Sequence, residues 1–195
     1  MSGPPVPTRL THRPTQGGLV VPWISVELAN GSFDLGNMHN TRVNTCFMER
    51  RCQICGDPIG RTVLFFLSTK ALADRIAGEP PLHPECAAYS KLACPMVAGQ
   101  MTHYRKTPTR TAGHVGKTCP TPGCDCGGWV STPGNGQNAG RPAEAWHMVW
   151  CHTYDIAVPD KETLRLVNRG VVPAGARLRA RITRPVKVRA VSPPP

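Results

Sequence analysis

Cys52-Gln53-Ile54-Cys55-Gly56 and His83-Pro84-Glu85-Cys86, with 27 residues between Cys55 and His83, are the two stretches that decide the fold. A tetrahedral zinc ion asks for four soft or borderline donors, and two short-spaced pairs deliver them at little cost in loop entropy. The first pair reads as a knuckle: two thiolates three positions apart, with a glycine to allow the tight turn. In the second, Pro84 suits the first position of a helix, where its missing N–H is not needed. Glu85 then falls in the first turn, near the positive end of the helix dipole. His83 would stand at the N-cap with Cys86 one turn in, both facing the knuckle, and the dipole there favours thiolate over thiol. The plainer alternative is a set of buried free cysteines beside a surface histidine. It requires two independent pairs and a correctly placed proline to coincide by accident. Cys52, Cys55, His83 and Cys86 are therefore read as one structural zinc site of treble-clef type.

Between the pairs, Arg61 to Ser68 (RTVLFFLS) is β-branched and aromatic and predicts a strand. Thr69 to Ala77 has helical spacing at Leu72 and Ile76, and the helix after His83 should stop near Cys94-Pro95. Cys94 lies eight residues beyond Cys86, about 80° further round a continuing helix and about 12 Å along it. It replaces His83 as fourth ligand only if the helix breaks early, so His83 is preferred and Cys94 is the alternative.

Composition explains why such a staple is needed. Pro (21) and Gly (19) make up about a fifth of 195 residues and aromatics only 6%, so the core should be small. Nine cysteines supply the staples. The chain starts MSGPP with no charged and then apolar leader, and Val63 to Leu67 is far too short an apolar run to span a bilayer. A reducing cytoplasm is expected, where paired cysteines usually mean metal, and the odd count fits poorly with a fully bridged framework.

A second zinc site is a further candidate. Cys119, Cys124 and Cys126 sit within eight residues on a Gly/Pro-rich loop, and Cys151, His147 or His152 can close the set. Free loop thiols are the equal alternative. Cys46 has no evident partner and reads as a small buried residue.

Elsewhere the chain divides by composition. Residues 1–20 are Pro-, Thr- and Gly-rich without period and read as a disordered arm, 21–100 as the zinc module, 101–118 as a basic linker. Residues 119–191 read as a β-rich segment and 192–195 as a disordered tail. Trp146 to Ile156 alternates like a strand, with Trp146, Met148 and Trp150 on one face. Asp160 can cap a helix over 161–169 that Gly170 stops. Arg177 to Ile182 alternates strictly, with Leu178, Ala180 and Ile182 inward and three arginines outward. Residues 32–51 contain Asn, Gly and His without clear period. The class expected is α+β: a small treble-clef-like finger plus a small β-rich segment.

RCQICGDPIGRTVLFF, EPPLHPECAAYSKLACP and the later Trp146–Trp150 strand resemble a group of uncharacterised phage and bacterial proteins, actinobacterial ones included. That group carries C-x-x-C-G-x-x-x-G, then E-P-P-x-H-x-x-C-A, then A-C-P. The specific match covers about 50 residues, 51–96. The resemblance implies a shared zinc-finger-like unit and an A-C-P element containing Cys94; it implies no activity.

Charge gives the functional lead. The formal net charge is +11, and after Glu162 there are eight cations and no acid: Arg165, Arg169, Arg177, Arg179, Arg181, Arg184, Lys187 and Arg189. Lys91, Arg105, Lys106, Arg110 and Lys117 form a second acid-free stretch. Clustered charge attracts polyanions. Arg177, Arg179, Arg181, Arg184, Lys187 and Arg189 are the candidate phosphate contacts, with Trp129, Trp146 or Trp150 available to stack bases. An ordinary solvated strand face and an ordinary core are the plain alternatives. The expected function is non-catalytic and nucleic-acid-associated, the alternative a phage-derived protein-interaction or assembly factor with Pro-rich docking ends. A metal-dependent nuclease is disfavoured, because no histidine or asparagine lies between Gly56 and Leu82. Neither a P-loop nor a dinucleotide fingerprint appears. No membrane partner is expected, and oligomeric state is not legible.

Overall fold

The computed structural model describes residues 3–28, 30–104, 129–130 and 140–191. Its strands are β1 (Thr15–Gln16), β2 (Leu19–Val20), β3 (Ser25–Glu27), β4 (Phe33–His39), β5 (Val63–Ser68), β6 (Ile76–Ala77), β7 (Trp129–Val130), β8 (Trp146–Cys151), β9 (Asp155–Ala157), β10 (Arg179–Arg181) and β11 (Pro185–Ala190). The helices are α1 (Asn40–Glu49), α2 (Thr69–Asp74), α3 (Pro84–Ala93) and α4 (Lys161–Asn168). The protein is α+β, with antiparallel sheets and short helices.

β5 is the reason a core exists. Its VLFF run, followed by Leu67, is buried on both faces, which a continuous apolar strand permits and an alternating one does not. β5 pairs along its full length with β8, Val63 opposite Cys151 through Ser68 opposite Trp146. β8 in turn pairs with β11, giving the order β11-β8-β5. Register thus places Trp146, Met148 and Trp150 on one face and the buried Val149 and Cys151 on the other. The ladder joins the segment expected as the zinc module to the segment expected as a separate β-rich unit. Two smaller sheets flank it, β6-β10-β9 and β3-β4-β7.

α1 was not legible in the sequence, yet it connects the parts. β4 runs straight into it, and Val43, Cys46 and Phe47 turn its inner face into the core. Phe47 and Phe65 both meet the Tyr154 ring edge-on, and the Tyr154 hydroxyl donates to Phe47 O at 2.7 Å. On α1, Asn40 and Asn44 donate to Ala176 O at 3.0 and 2.9 Å, while Asn44 Oδ1 accepts from Leu178 N–H at 3.1 Å. Those bonds fix the approach to β10.

Other expectations meet the structure more directly. Val63–Ser68 is the strand predicted within Arg61 to Ser68, and α2 occupies the start of Thr69 to Ala77, whose end becomes β6. Asp160 caps α4, its carboxylate accepting from Thr163 N–H at 2.7 Å, and Gly170 follows with φ +81°. Leu178, Ala180 and Ile182 point inward. Two expectations are corrected. Residues 3–20 are not a disordered arm: Thr8–Leu10 form a 3-10 turn with Leu10 fully buried, β1 and β2 pair, and Val20 N–H donates to the Tyr89 hydroxyl of α3 at 2.9 Å. Two buried apolar side chains, Leu10 and Val20, and hydrogen bonds from Val20 to Tyr89 and between Gln16 and Phe33 hold a stretch whose composition reads as a linker. Nor do three arginines face outward, because Arg177 is half-buried near Glu79 while Arg179 and Arg181 are exposed.

Candidate metal centre

The knuckle is set by backbone before any ligand acts. α1 ends at Arg50 in the left-handed region (φ 52°), which turns the chain into an Arg51–Pro58 bridge. Within that bridge Cys52 N–H donates to Asp57 O and Gly56 N–H to Cys52 O, both at 2.9 Å. Gly56 has φ +86°, and a methyl group in place of its hydrogen would lie 2.8 Å from Trp23 Cγ. Across from the knuckle, α3 opens as its sequence dictates, with His83 at the N-cap, Pro84 in the first turn and Glu85 behind it. Gln53 ties the two halves together, its N–H donating to Pro81 O at 3.0 Å and its side chain to Pro80 O at 2.8 Å.

The side chains of Cys52, Cys55, His83 and Cys86 converge, all buried, with their ligand atoms within 4.8 Å of one another. Donors around a tetrahedral ion with bonds of about 2.3 Å stand about 3.8 Å apart. The set therefore needs only a slight contraction to close on a single ion. Cys55 Sγ and His83 Nδ1 are 3.3 Å apart. His83 Nε2 lies 3.0 Å from Pro58 O. A carbonyl can only accept, so Nε2 carries the proton and Nδ1 keeps its lone pair for the cluster. Histidine ligands are commonly oriented this way by a carbonyl on the other nitrogen.

The electrostatics have the same source. Burial pushes the Cys52 thiol up, but hydrogen bonds from the Cys55 and Cys86 thiols and from the backbone of Cys55 and His83 outweigh it and hold Cys52 well below the usual thiol range. Cys86, which shares its proton with Cys52 and Cys55 and is desolvated, is pushed up. His83 is raised, first by its hydrogen bond to Cys55, against a smaller opposing effect of burial. Four groups that share protons in this way are a set whose protons a cation can replace.

Cys94 does not join the set. It is the C-cap of α3, at the far end of the helix from Cys86, and its N–H donates to Ser90 O. The helix runs unbroken, so His83 stands where the alternative would have placed Cys94. Cys46 is buried on α1. Cys119, Cys124 and Cys126 lie outside the described residues. Cys151, their expected partner, is buried in β8 with its thiol raised by burial to about 11. His152 is exposed. Among the described residues Cys52, Cys55, His83 and Cys86 are the one metal-ligating group.

Sequence reading missed the N-terminal wall of the site. His12 Nε2 lies 3.3 Å from Cys55 O, Arg13 interacts electrostatically with Cys55, and Arg13 Nε donates to Val21 O at 3.2 Å. Arg9 reaches Asp57 at 3.6 Å and Glu85 at 4.0 Å. The apolar residues Leu10 and Val20, set in a Pro/Thr-rich stretch, were the available signal.

Fold and site together define an α+β protein organised around a buried Cys3His cluster able to hold a metal ion. No protein-family model, curated protein or solved structure matches the chain. No described helix is long and apolar enough to cross a membrane.

Proposed function

We propose that this is a non-catalytic, zinc-stabilised protein of the reducing cytoplasm that associates with nucleic acid through its basic C-terminal strands. Three thiolates and an imidazole in a closed tetrahedral set suit zinc over harder cations, and four protein ligands leave no open position for catalysis. The knuckle and the ligand-bearing helix start support a treble-clef-like unit, and the strand between them, β5, bridges back to Leu82 through Leu64 on one side while pairing with β8 on the other. Elemental analysis of reduced protein checks the metal: one equivalent of zinc supports this site alone, and two add the Cys119, Cys124, Cys126 and Cys151 candidate.

One observation carries the nucleic-acid reading. Arg179, Arg181, Arg184, Lys187 and Arg189 are all exposed along consecutive strands, with no ion-pair partner among the described residues. Unpaired cations on an extended surface gain by displacing counterions from phosphates. The tryptophans support it less: Trp146 and Trp150 pack against the core, and Lys187 Nζ lies 5.3 Å over the Trp150 ring. The side chain of Trp129 lies outside the described residues. Fluorescence anisotropy with labelled single- and double-stranded oligonucleotides tests the reading. Affinity should fall steeply with salt, and replacing Lys187 and Arg189 by Ala should reduce the logarithmic salt slope by about 1.5 to 2. Binding indifferent to salt, or absent at low salt, ends it.

A second reading, a protein-interaction or assembly factor, is favoured by the edge strand β11. Every residue of it is exposed, including Val186 at 61% and Val188 at 43%. Exposed β-branched residues on a sheet edge invite strand addition by a partner. Recovery of one stoichiometric partner after nuclease treatment would select this reading.

A further inference from the structure

A cleft of about 480 Å³ opens beside β10, away from the metal ligands. Its size falls within the range of small-ligand sites. The lining divides by chemistry. One part is cationic: Arg179 and Arg181, at alternate positions of β10, turn their side chains to the same side, and the half-buried Arg177 also lines the cleft. Neighbours in such a row stand about 7 Å apart, so two guanidinium forks can close on a single phosphoryl group. The other part is the turn after β9, where Val158 and Pro159 offer apolar surface and Asp160 a carboxylate already committed to Thr163 N–H.

The three arginines are not equivalent. Arg177 is half-buried, and burial, reinforced by the nearby charge of Arg179, lowers it to about 10 while Glu79 opposes the shift. Arg179 and Arg181 are exposed and have no ion-pair partner among the described residues. Arg177 already has Glu79 nearby, so it is the paired positive charge of Arg179 and Arg181 that gains most from an anion in the cleft. Asp160 excludes a ligand that is anionic throughout, whereas a carboxylate readily accepts from a hydroxyl.

We propose that this cleft binds a phosphate monoester of about nucleotide size, its phosphoryl group held by Arg179 and Arg181 beside Arg177 and its uncharged body lying on Val158 and Pro159. The site is separate from the rest of the basic surface, since Arg184, Lys187 and Arg189 do not line it. It stands whether or not the protein associates with nucleic acid.

Calorimetric titration of the full chain with a nucleoside monophosphate, the matching nucleoside and inorganic phosphate tests this. The monophosphate should bind, the nucleoside should bind at least about tenfold more weakly, and phosphate alone should compete for the site. Arg179→Ala with Arg181→Ala should weaken the monophosphate about a hundredfold, while Lys187→Ala with Arg189→Ala should leave it within about twofold. Both positions are exposed, so the variants should keep the parent melting temperature; the paired Arg→Lys variant, retaining charge without the fork, should fall between. No binding of the monophosphate by the parent chain at millimolar concentration overturns the proposal, as does equal binding by the folded Arg179/Arg181 variant. Competition with 5′-phosphorylated and 5′-hydroxyl oligonucleotides identifies the source. Displacement by the phosphorylated strand alone marks a nucleic-acid end, and displacement by neither marks a free ester. A chain that binds monophosphate but no oligonucleotide retains the cleft and loses the nucleic-acid reading.

Discussion

Gly56 carries two constraints at once, a left-handed backbone and the face of Trp23 where a side chain would begin. Neither relaxes without moving the loop that holds Cys52 and Cys55. Gly56→Ala should therefore cost about 2–4 kcal/mol, the left-handed penalty plus the clash, read from chemical unfolding of the metal-loaded protein. His83 supplies a pH prediction. Its basicity is raised in the metal-free site, so the proton competes well for the group whose neutral Nδ1 must bind metal. The cysteine thiols make metal affinity fall with pH throughout, and below the raised pKa of His83 the fall should steepen by one further proton per ion bound, with protons released on uptake. Competition against a chromophoric chelator as a function of pH measures it; a proton slope that does not steepen at acid pH would remove His83 from the ligand set. The four ligands were legible in the sequence because metal chemistry leaves a spacing signature that survives any context. Trp23, His12 and Arg13 were not, because their roles arise from where a turn happens to pass.

Elements were legible in proportion to how far one local rule determined them. β5 is a continuous apolar run, α3 opens with histidine and proline, and α4 has a capping aspartate; each matched. β4 and α1 (FDLGNMH, NTRVNTCFME) carry Asn and Gly, poor formers of either element, and α1 shows only the short apolar face Val43, Cys46 and Phe47. Tertiary packing decides them. Arg177 is the same lesson just ahead of a strand: the alternation of Arg177 to Ile182 predicts an outward side chain, but β10 begins only at Arg179 and Arg177 sits half-buried near Glu79. Asn44 is the most informative residue to test at this scale, since its side chain bonds both Ala176 O and Leu178 N–H across 132 and 134 residues of sequence. Asn44→Ala should cost about 1–3 kcal/mol and speed amide exchange at Leu178, observable by hydrogen-exchange mass spectrometry. Exchange unchanged at Leu178 would mean that α1 does not brace β10.

Across the whole molecule, an ion at the Cys3His cluster would share with the main sheet the work of holding the chain together. The ligand set lies between the N-terminal segment and the main sheet, so removing its ion should loosen both sides. Chelation should lower the melting temperature by about 10 °C or more and expose Leu10 and the β1–β2 hairpin to protease before β8. A chelated protein that melts unchanged would show that the apolar core suffices by itself.

The long ladder between β5 and β8 also has a consequence for biosynthesis. All four ligands have left the ribosome once Cys86 has emerged, but the strand that pairs with β5 begins only at Trp146 and its outer neighbour at Pro185. For that interval an apolar strand has no sheet to join. An ion captured early would close the loop from Cys52 to Cys86 around it and shield it from neighbouring nascent chains. Starvation for that ion should then be felt first as aggregation during translation, ahead of any loss of finished protein.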